Sequence, residues 1–220
     1  DFTNNWIKMS SLAIDQFPTG FGQVQATLGG SALTNFTWNG SASTDWLTSS
    51  NWTPNGVPSD LSDVIIPDAA TTPNDPLLPS GAASIGRLTI YAGGILNATA
   101  TSTLTVTGGS GAWSNNGGTF NASTSNVIFT GASATISGVT NFYDLTINSG
   151  ATLTPGSGSI TRIAGLVTNN GIWNVEFNPD NTVEYNGGNQ TVLNPNGSTA
   201  GYHELILSGS GIKTMPGTAL

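Results

Sequence analysis

Apolar and polar residues alternate in short segments along most of the chain. Gly, Asn, Ser and Pro separate these segments every roughly 8 to 12 residues, and no helical period lies between them. The residues predicted to point inward are Val64, Ile66, Val127, Phe129, Val183 and Tyr185, and those predicted to point outward are Ile65, Ile128 and Glu184. A period of two is typical of β-strands. The pattern therefore predicts an all-β fold.

Two blocks of sequence recur in the same order. The first has copies at 63–67 (DVIIP), 126–131 (NVIFTG) and 182–187 (TVEYNG), and the second at 87–90 (RLTI), 144–147 (DLTI) and 204–207 (ELIL). The copies of the second block are almost evenly spaced. Trp113 and Trp173 recur in a similar way, which favours a packing role for both. Self-similarity at a fixed period indicates stacked repeats.

The alternation breaks just before each copy of the second block. Apolar Ile85, Phe142 and Tyr202 lie three residues before Leu88, Leu145 and Leu205, so the two sets cannot share one straight strand face. We therefore expect bends at 86–87, 143–144 and 203–204, where the chain turns to the next face.

Long-period repeats favour a solenoid over a sandwich, because a sandwich does not require them. We predict a parallel β-helix, or β-solenoid, with two or three strands per coil and two to three coils per repeat. Residues 1–36 are predicted as an N-terminal cap or the end of a preceding domain, and 37–62 as a Trp-rich capping segment. The repeats span 63–220, at about 63–125, 126–181 and 182–220, the last incomplete. Since no cap signal follows, we expect the chain to continue into a longer protein or a neighbour.

The chain carries very little charge. It has 4 Lys and Arg against 12 Asp and Glu among 220 residues, a net charge of -8, and no Cys. Four basic residues cannot supply a phosphate-tracking surface, which excludes nucleic acid as a partner. No apolar run reaches the roughly 20 residues of a membrane helix, so this segment is not expected to insert into a membrane. Stacked coils would also place like charges in unfavourable ladders, whereas Asn, Ser and Thr ladders form hydrogen bonds.

Three tryptophans, Trp38, Trp46 and Trp52, lie just before the first repeat strand. An open solenoid end exposes an unpaired edge, and bulky aromatic residues can cover it. Their alternative role is to stack on sugar rings. The sequence predicts a cap and leaves sugar contacts open.

The densest acidic stretch contains Asp60, Asp63, Asp68 and Asp75. Such loops can supply the oxygen ligands that Ca²⁺ prefers. The spacing of known calcium loops is absent, however, and ordinary solvated turns are the other interpretation. We predict no catalytic residue and no cofactor. Ca²⁺ is the one candidate ion for this acidic stretch.

A pair of carboxylates occupies equivalent repeat positions. Asp144 and Glu204, two to three coils apart, are expected roughly 10 to 15 Å from one another, at or beyond the reach of an inverting glycosidase pair. Arg87 stands at the same position in the first repeat, which indicates a solvated corner. The only histidine, His203, has no nucleophile motif around it.

The run from Thr37 to Pro67, together with NVIFTGASATISGVTNFYDLTINSGATLTPGS and NNGIWN, resembles the repeats of large secreted surface proteins of the Bacteroidetes type. It is also similar to autotransporter passenger regions and filamentous-haemagglutinin-like adhesins. The resemblance implies a right-handed parallel β-helix, export to the cell surface, and a role as an adhesin shaft or matrix component. It carries over no functional residue.

Three functions follow as hypotheses. The first is a non-enzymatic, secreted β-solenoid segment that acts as a cell-surface shaft or assembles end to end into a fibre, with surface glycans or matrix as further partners. The second is a carbohydrate-active β-helix, a polysaccharide lyase or hydrolase, that uses the acidic stretch with Arg87. The third is a carbohydrate-binding module that uses the three cap tryptophans.

Overall fold

In the computed structural model, the described residues are 34–195 and 201–217. The predicted N-terminal cap or preceding segment, 1–36, lies almost entirely outside them. Within the described residues the chain winds through short strands on three faces, which confirms the predicted β-solenoid. No helix among these residues is long and apolar enough to cross a membrane.

The strands stack in parallel on each face. Face 1 contains β1 (Thr34–Trp38), β3 (Ser62–Ile66), β5 (Arg87–Tyr91), β8 (Trp113–Asn116), the first part of β11 (Ala134–Phe142), β13 (Thr152–Pro155) and β16 (Ile172–Trp173), with β2 (Trp52–Thr53) at its end. Face 2 contains β6 (Ile95–Asn97), β9 (Thr119–Asn121), the second part of β11, β14 (Ile160–Ile163), β17 (Thr182–Tyr185) and β19 (Glu204–Leu207). Face 3 contains β4 (Gly81–Ile85), β7 (Ser102–Val106), β10 (Asn126–Phe129), β12 (Asp144–Ile147) and β15 (Val167–Asn169), followed by the pair β18 (Gln190–Thr191) and β20 (Lys213–Thr214).

Parallel pairings connect each coil to the next. Seven of them lead from β1 through β3, β5, β8, β11, β14 and β17 to β19. On face 2, Val139 pairs with Ile160 and Ile160 with Thr182, so the two coil steps have almost the same length. Three strands per coil agree with the upper of the two predicted values.

The core runs through the centre of the coils. All six residues predicted to point inward in the first block are buried, and the strand residues between them are only partly buried. Trp113 and Trp173 are completely buried, as their recurrence predicted. The Trp113 indole N–H donates to the Thr140 hydroxyl at 3.0 Å.

The predicted bends are present. Strands β4 and β11 end at buried Ile85 and Phe142, and one bend residue separates each from the next strand. His203 forms the corresponding bend before β19. Strand β11 also turns within its length, at Gly138, whose φ of +79° suits glycine and whose Cβ position is filled by the Asn115 backbone.

The repeats do not stack directly on one another. Copies of the first block form β3 on face 1, β10 on face 3 and β17 on face 2. The step from one repeat to the next, Arg87 to Asp144, is longer than two coil steps and shorter than three, so each copy begins on another face. Within one repeat, however, the strand of the first block pairs in register with the strand of the second block. Val64 of β3, for example, pairs with Leu88 of β5.

Candidate functional site

The three tryptophans form one packed cluster at the first coil. Trp52 makes edge-to-face contacts with Trp38 and Trp46, at centroid distances of 4.9 and 4.6 Å, and its indole N–H donates to the Trp46 carbonyl at 2.8 Å. Buried Asn51 orders the loop beside them, because its side chain accepts the Ala42 and Ser43 amides. Strand β2 pairs antiparallel with β1 and covers its edge.

This packing bears on the prediction of sugar contacts. Trp38, Trp46 and Trp52 are each 1 % exposed, so their ring faces contact protein and not solvent. The structure therefore does not offer these rings to a sugar, and the capping role stays a prediction.

The four aspartates of the predicted calcium stretch have separate positions. Asp63 forms an ion pair with Arg87 on the next coil at 3.3 Å, and Asp68 caps a 3-10 turn by accepting the Ala70 amide. The Asp60 carbonyl accepts the Thr107 hydroxyl at 2.5 Å, and Asp75 is half-buried. No three His, Cys, Asp or Glu side chains in the described part of the chain converge as a metal site would require.

Asp144 and Glu204 begin equivalent strands, as predicted, but the strands lie on different faces, because the repeat spans a non-integral number of coils. Asp144 begins β12 on face 3, whereas Glu204 begins β19 on face 2. Asp144 accepts the Leu166 amide at 2.6 Å, and Glu204 accepts the Thr182 hydroxyl at 2.7 Å. Each carboxylate thus binds the preceding or following coil.

The three basic side chains of the described residues each bind a neighbouring coil. Arg162 donates through Nε to Glu184 at 2.7 Å, and the Ser208 hydroxyl donates to the other oxygen of Glu184 at 2.5 Å. These contacts hold the pKa of Glu184 below its usual value, the Ser208 bond most strongly, although burial opposes them. Lys213 Nζ donates to the Gly187, Gly188 and Ser210 carbonyls. With the pair of Arg87 and Asp63, every described Lys and Arg therefore stabilises the fold.

Uncharged polar side chains also form hydrogen bonds between neighbouring coils. Asn121 donates to Asn97 of the preceding coil at 2.8 Å, and Ser80 and Thr101 share a hydrogen bond at 2.6 Å. The coils are thus joined by side chains as well as by the backbone, as the shortage of charge predicted.

Two openings lie where a ladder is interrupted. Strand β9 pairs with β6 but not with β11, and an opening of about 360 Å³ lies there beside Asn115, Phe120 and Val139. Strand β15 pairs with β12 but not with β18, and an opening of about 520 Å³ lies between the residues just before β15 and those of β18. We call the second the Tyr143 groove. Its lining residues are Tyr143, Asp144, Ala164, Gly165, Leu166, Gly188, Asn189, Gln190 and Thr191.

The side chain of Gln190 spans the base of the Tyr143 groove. It is 7 % exposed, donates to the Ile163 and Gly165 carbonyls at 2.9 and 2.8 Å, and accepts the Gly187 amide at 2.8 Å. One amide side chain thus joins the two coils where β15 and β18 do not pair. The sequence patterns did not predict this groove; a signal for it is the presence of glycines at 165, 187 and 188, beside these two strands.

Comparison with known proteins adds one similarity. A family model described as a domain of unknown function, DUF8693, matches residues 37–126, from the Trp-rich segment to the first residue of β10. No curated protein and no solved structure matches the chain.

Proposed function

We propose that this chain is a structural segment: a non-enzymatic β-solenoid that serves as a shaft at the cell surface. The observation that carries the proposal is the use of its charged side chains. Asp63 with Arg87, Arg162 with Glu184, and Lys213 with the Gly187 and Gly188 carbonyls all join neighbouring coils. An enzyme would need such groups at a cleft, free to act on a substrate.

A shaft also needs a continuous core. One cluster of buried apolar side chains runs from Trp38 to Val192, so each coil is stabilised by its neighbours. Seven coil steps at roughly 4.8 Å each give a length of about 34 Å for the stack. The secreted, surface location is part of this proposal and is supported by the resemblance of the repeats to surface proteins.

End-to-end assembly is the fibre form of the same proposal. Strand β19 has a partner on one edge only among the described strands. Leu207 on β19 is 42 % exposed, whereas Ile90 and Ile147, its counterparts in the earlier repeats, are completely buried. The first coil is covered by β2. We therefore place the self-association surface at β19, where a further strand would bury Leu207.

Turnover assays separate this proposal from a carbohydrate-active enzyme. The full chain would be incubated with acidic and neutral polysaccharides, with and without Ca²⁺, and new reducing ends and unsaturated products measured. We expect no product, with Asp63→Ala as the matched control. Product from the natural chain that exceeds that of Asp63→Ala would contradict a purely structural role.

A further inference from the structure

We propose that the Tyr143 groove binds a neutral oligosaccharide. This site is separate from the cap tryptophans and from the acidic stretch, and it does not depend on the shaft role. Its volume of about 520 Å³ lies within the range of roughly 300 to 1,000 Å³ of small-ligand sites.

The groove presents polar groups that no described residue uses. Asp144 Oδ1 accepts the Leu166 amide, which leaves Oδ2 free, and Asn189 Oδ1 accepts the Ile212 amide, which leaves its NH₂ group free. The hydroxyls of Tyr143 and Thr191 have no hydrogen-bond partner within the described ranges. The groove therefore offers a carboxylate acceptor, an amide donor and two hydroxyls that both donate and accept.

Apolar surface lies beside these groups. The Tyr143 ring packs against the bare backbone of Gly165, where a Cβ would come within 2.8 Å of ring atoms Cδ1 and Cε1. Leu166 is 58 % exposed at the edge of the groove. A tyrosine thus combines an apolar ring with a polar end in one opening, which suits a ligand with C–H faces and hydroxyl groups.

Charge excludes other ligand classes. An anionic ligand would meet Asp144 with no cation among the lining residues. Arg87 and Arg162 are in ion pairs away from the groove, and Lys213 Nζ, beside it, is held by the Gly187, Gly188 and Ser210 carbonyls. A divalent cation would find one carboxylate only. A neutral, hydroxyl-rich ligand fits the remaining donors and acceptors.

A third opening adjoins the Tyr143 groove. It holds about 250 Å³, shares Asn189, Gln190 and Thr191 with the Tyr143 groove, and reaches Thr214 and Ile212, which is 71 % exposed. The two openings adjoin at these three shared residues, so polar surface continues from the Tyr143 groove to β20. An oligosaccharide, and not a monosaccharide, is therefore the expected ligand.

The test titrates the full chain with cellohexaose, xylohexaose, mannohexaose and chitohexaose, followed by calorimetry and by NMR shifts of the Gly165 and Thr191 amides. Because each variant removes one hydrogen bond, we expect Tyr143→Phe and Thr191→Val each to weaken binding by roughly three- to tenfold. Tyr91→Phe is the matched control, since Tyr91 is exposed outside the groove, and it should bind as the natural chain does.

Three outcomes would overturn the proposal. These are no saturable binding to any of the four saccharides at about 10 mM, binding that both groove variants leave unchanged, and tighter binding to sulfated oligosaccharides than to neutral ones. Unchanged unfolding midpoints of the variants would show that altered binding does not reflect altered folding. None of these results bears on turnover or on the mechanical role, so failure here is distinguishable from failure of the shaft.

Discussion

Replacing Trp52 by alanine tests whether the tryptophan cluster holds the first coil closed. Trp52 lies between Trp38 and Trp46 and is 1 % exposed, so its removal leaves a cavity that both neighbours border. It also leaves the Trp46 carbonyl without its indole donor.

The expected loss is large. Truncating a buried Trp to Ala costs about 3–5 kcal/mol, and the two edge-to-face contacts place Trp52 towards the upper end of that range. We therefore expect a loss of about 4–5 kcal/mol for Trp52→Ala, near the top of the range for such truncations. In a solenoid each coil contacts only its neighbours, so the loss acts mainly on the first coil.

Hydrogen exchange measures this locally. Because about 1.4 kcal/mol is a tenfold change, amides of Thr34–Trp38 should exchange about a thousandfold faster, where exchange occurs by local opening. Amides of β10 and β12 should change little. Leu47→Ala is the control, since Leu47 is exposed beside Trp46 and its loss should cost within about 0.5 kcal/mol. Exchange at Thr34–Trp38 that stays within about threefold of the natural rate would refute the capping role.

Three further predictions concern charge, glycine and calcium. The Ser208 hydrogen bond and the Arg162 ion pair lower the pKa of Glu184 from its usual value of 4.5. The ionised carboxylate therefore adds to the free energy of unfolding above the unfolded pKa, and this stabilisation is lost as the pH falls through the folded pKa. In urea unfolding, Glu184→Gln should be about 1 kcal/mol less stable than the natural chain at neutral pH, and the difference should shrink below pH 4.5. A difference that does not change with pH would contradict this. Gly150 has a φ of +80°, and an added Cβ would meet no other atom. Gly150→Ala should therefore lower the free energy of unfolding by about 1–2 kcal/mol through backbone strain alone. In Gly138→Ala the new Cβ also meets the Asn115 backbone of the preceding coil, so the loss of stability should be about 2 kcal/mol larger. Equal losses for the two variants would refute that contact. Millimolar Ca²⁺ or a chelator should leave the unfolding midpoint within about 1 °C, and a rise of several degrees would reveal a metal site.

Local features of this fold could be predicted from the sequence. The alternation at Val127 and Phe129 identified the inward face of β10, and the broken alternation at Phe142 located a corner to within a residue. Both depend only on the period of a strand and on neighbours in the chain.

Features that depend on coil length could not be predicted. The position of Asp144 relative to Glu204 depends on how many residues each turn contributes, and the coils differ in length. The Tyr143 groove arises because β15 and β18 do not pair and Gln190 joins the coils instead. No strand pattern shows a missing pairing.

Single-molecule pulling on the full chain tests the central claim, that contacts between coils make the stack a shaft that resists tension. One coil corresponds to the chain from Val139 to Ile160, or from Ile160 to Thr182. Coils should release one after another, each adding about 7 nm of extended chain. A series of such steps under rising force is the predicted result. Extension in one event at a force too small to resolve would contradict a mechanical role.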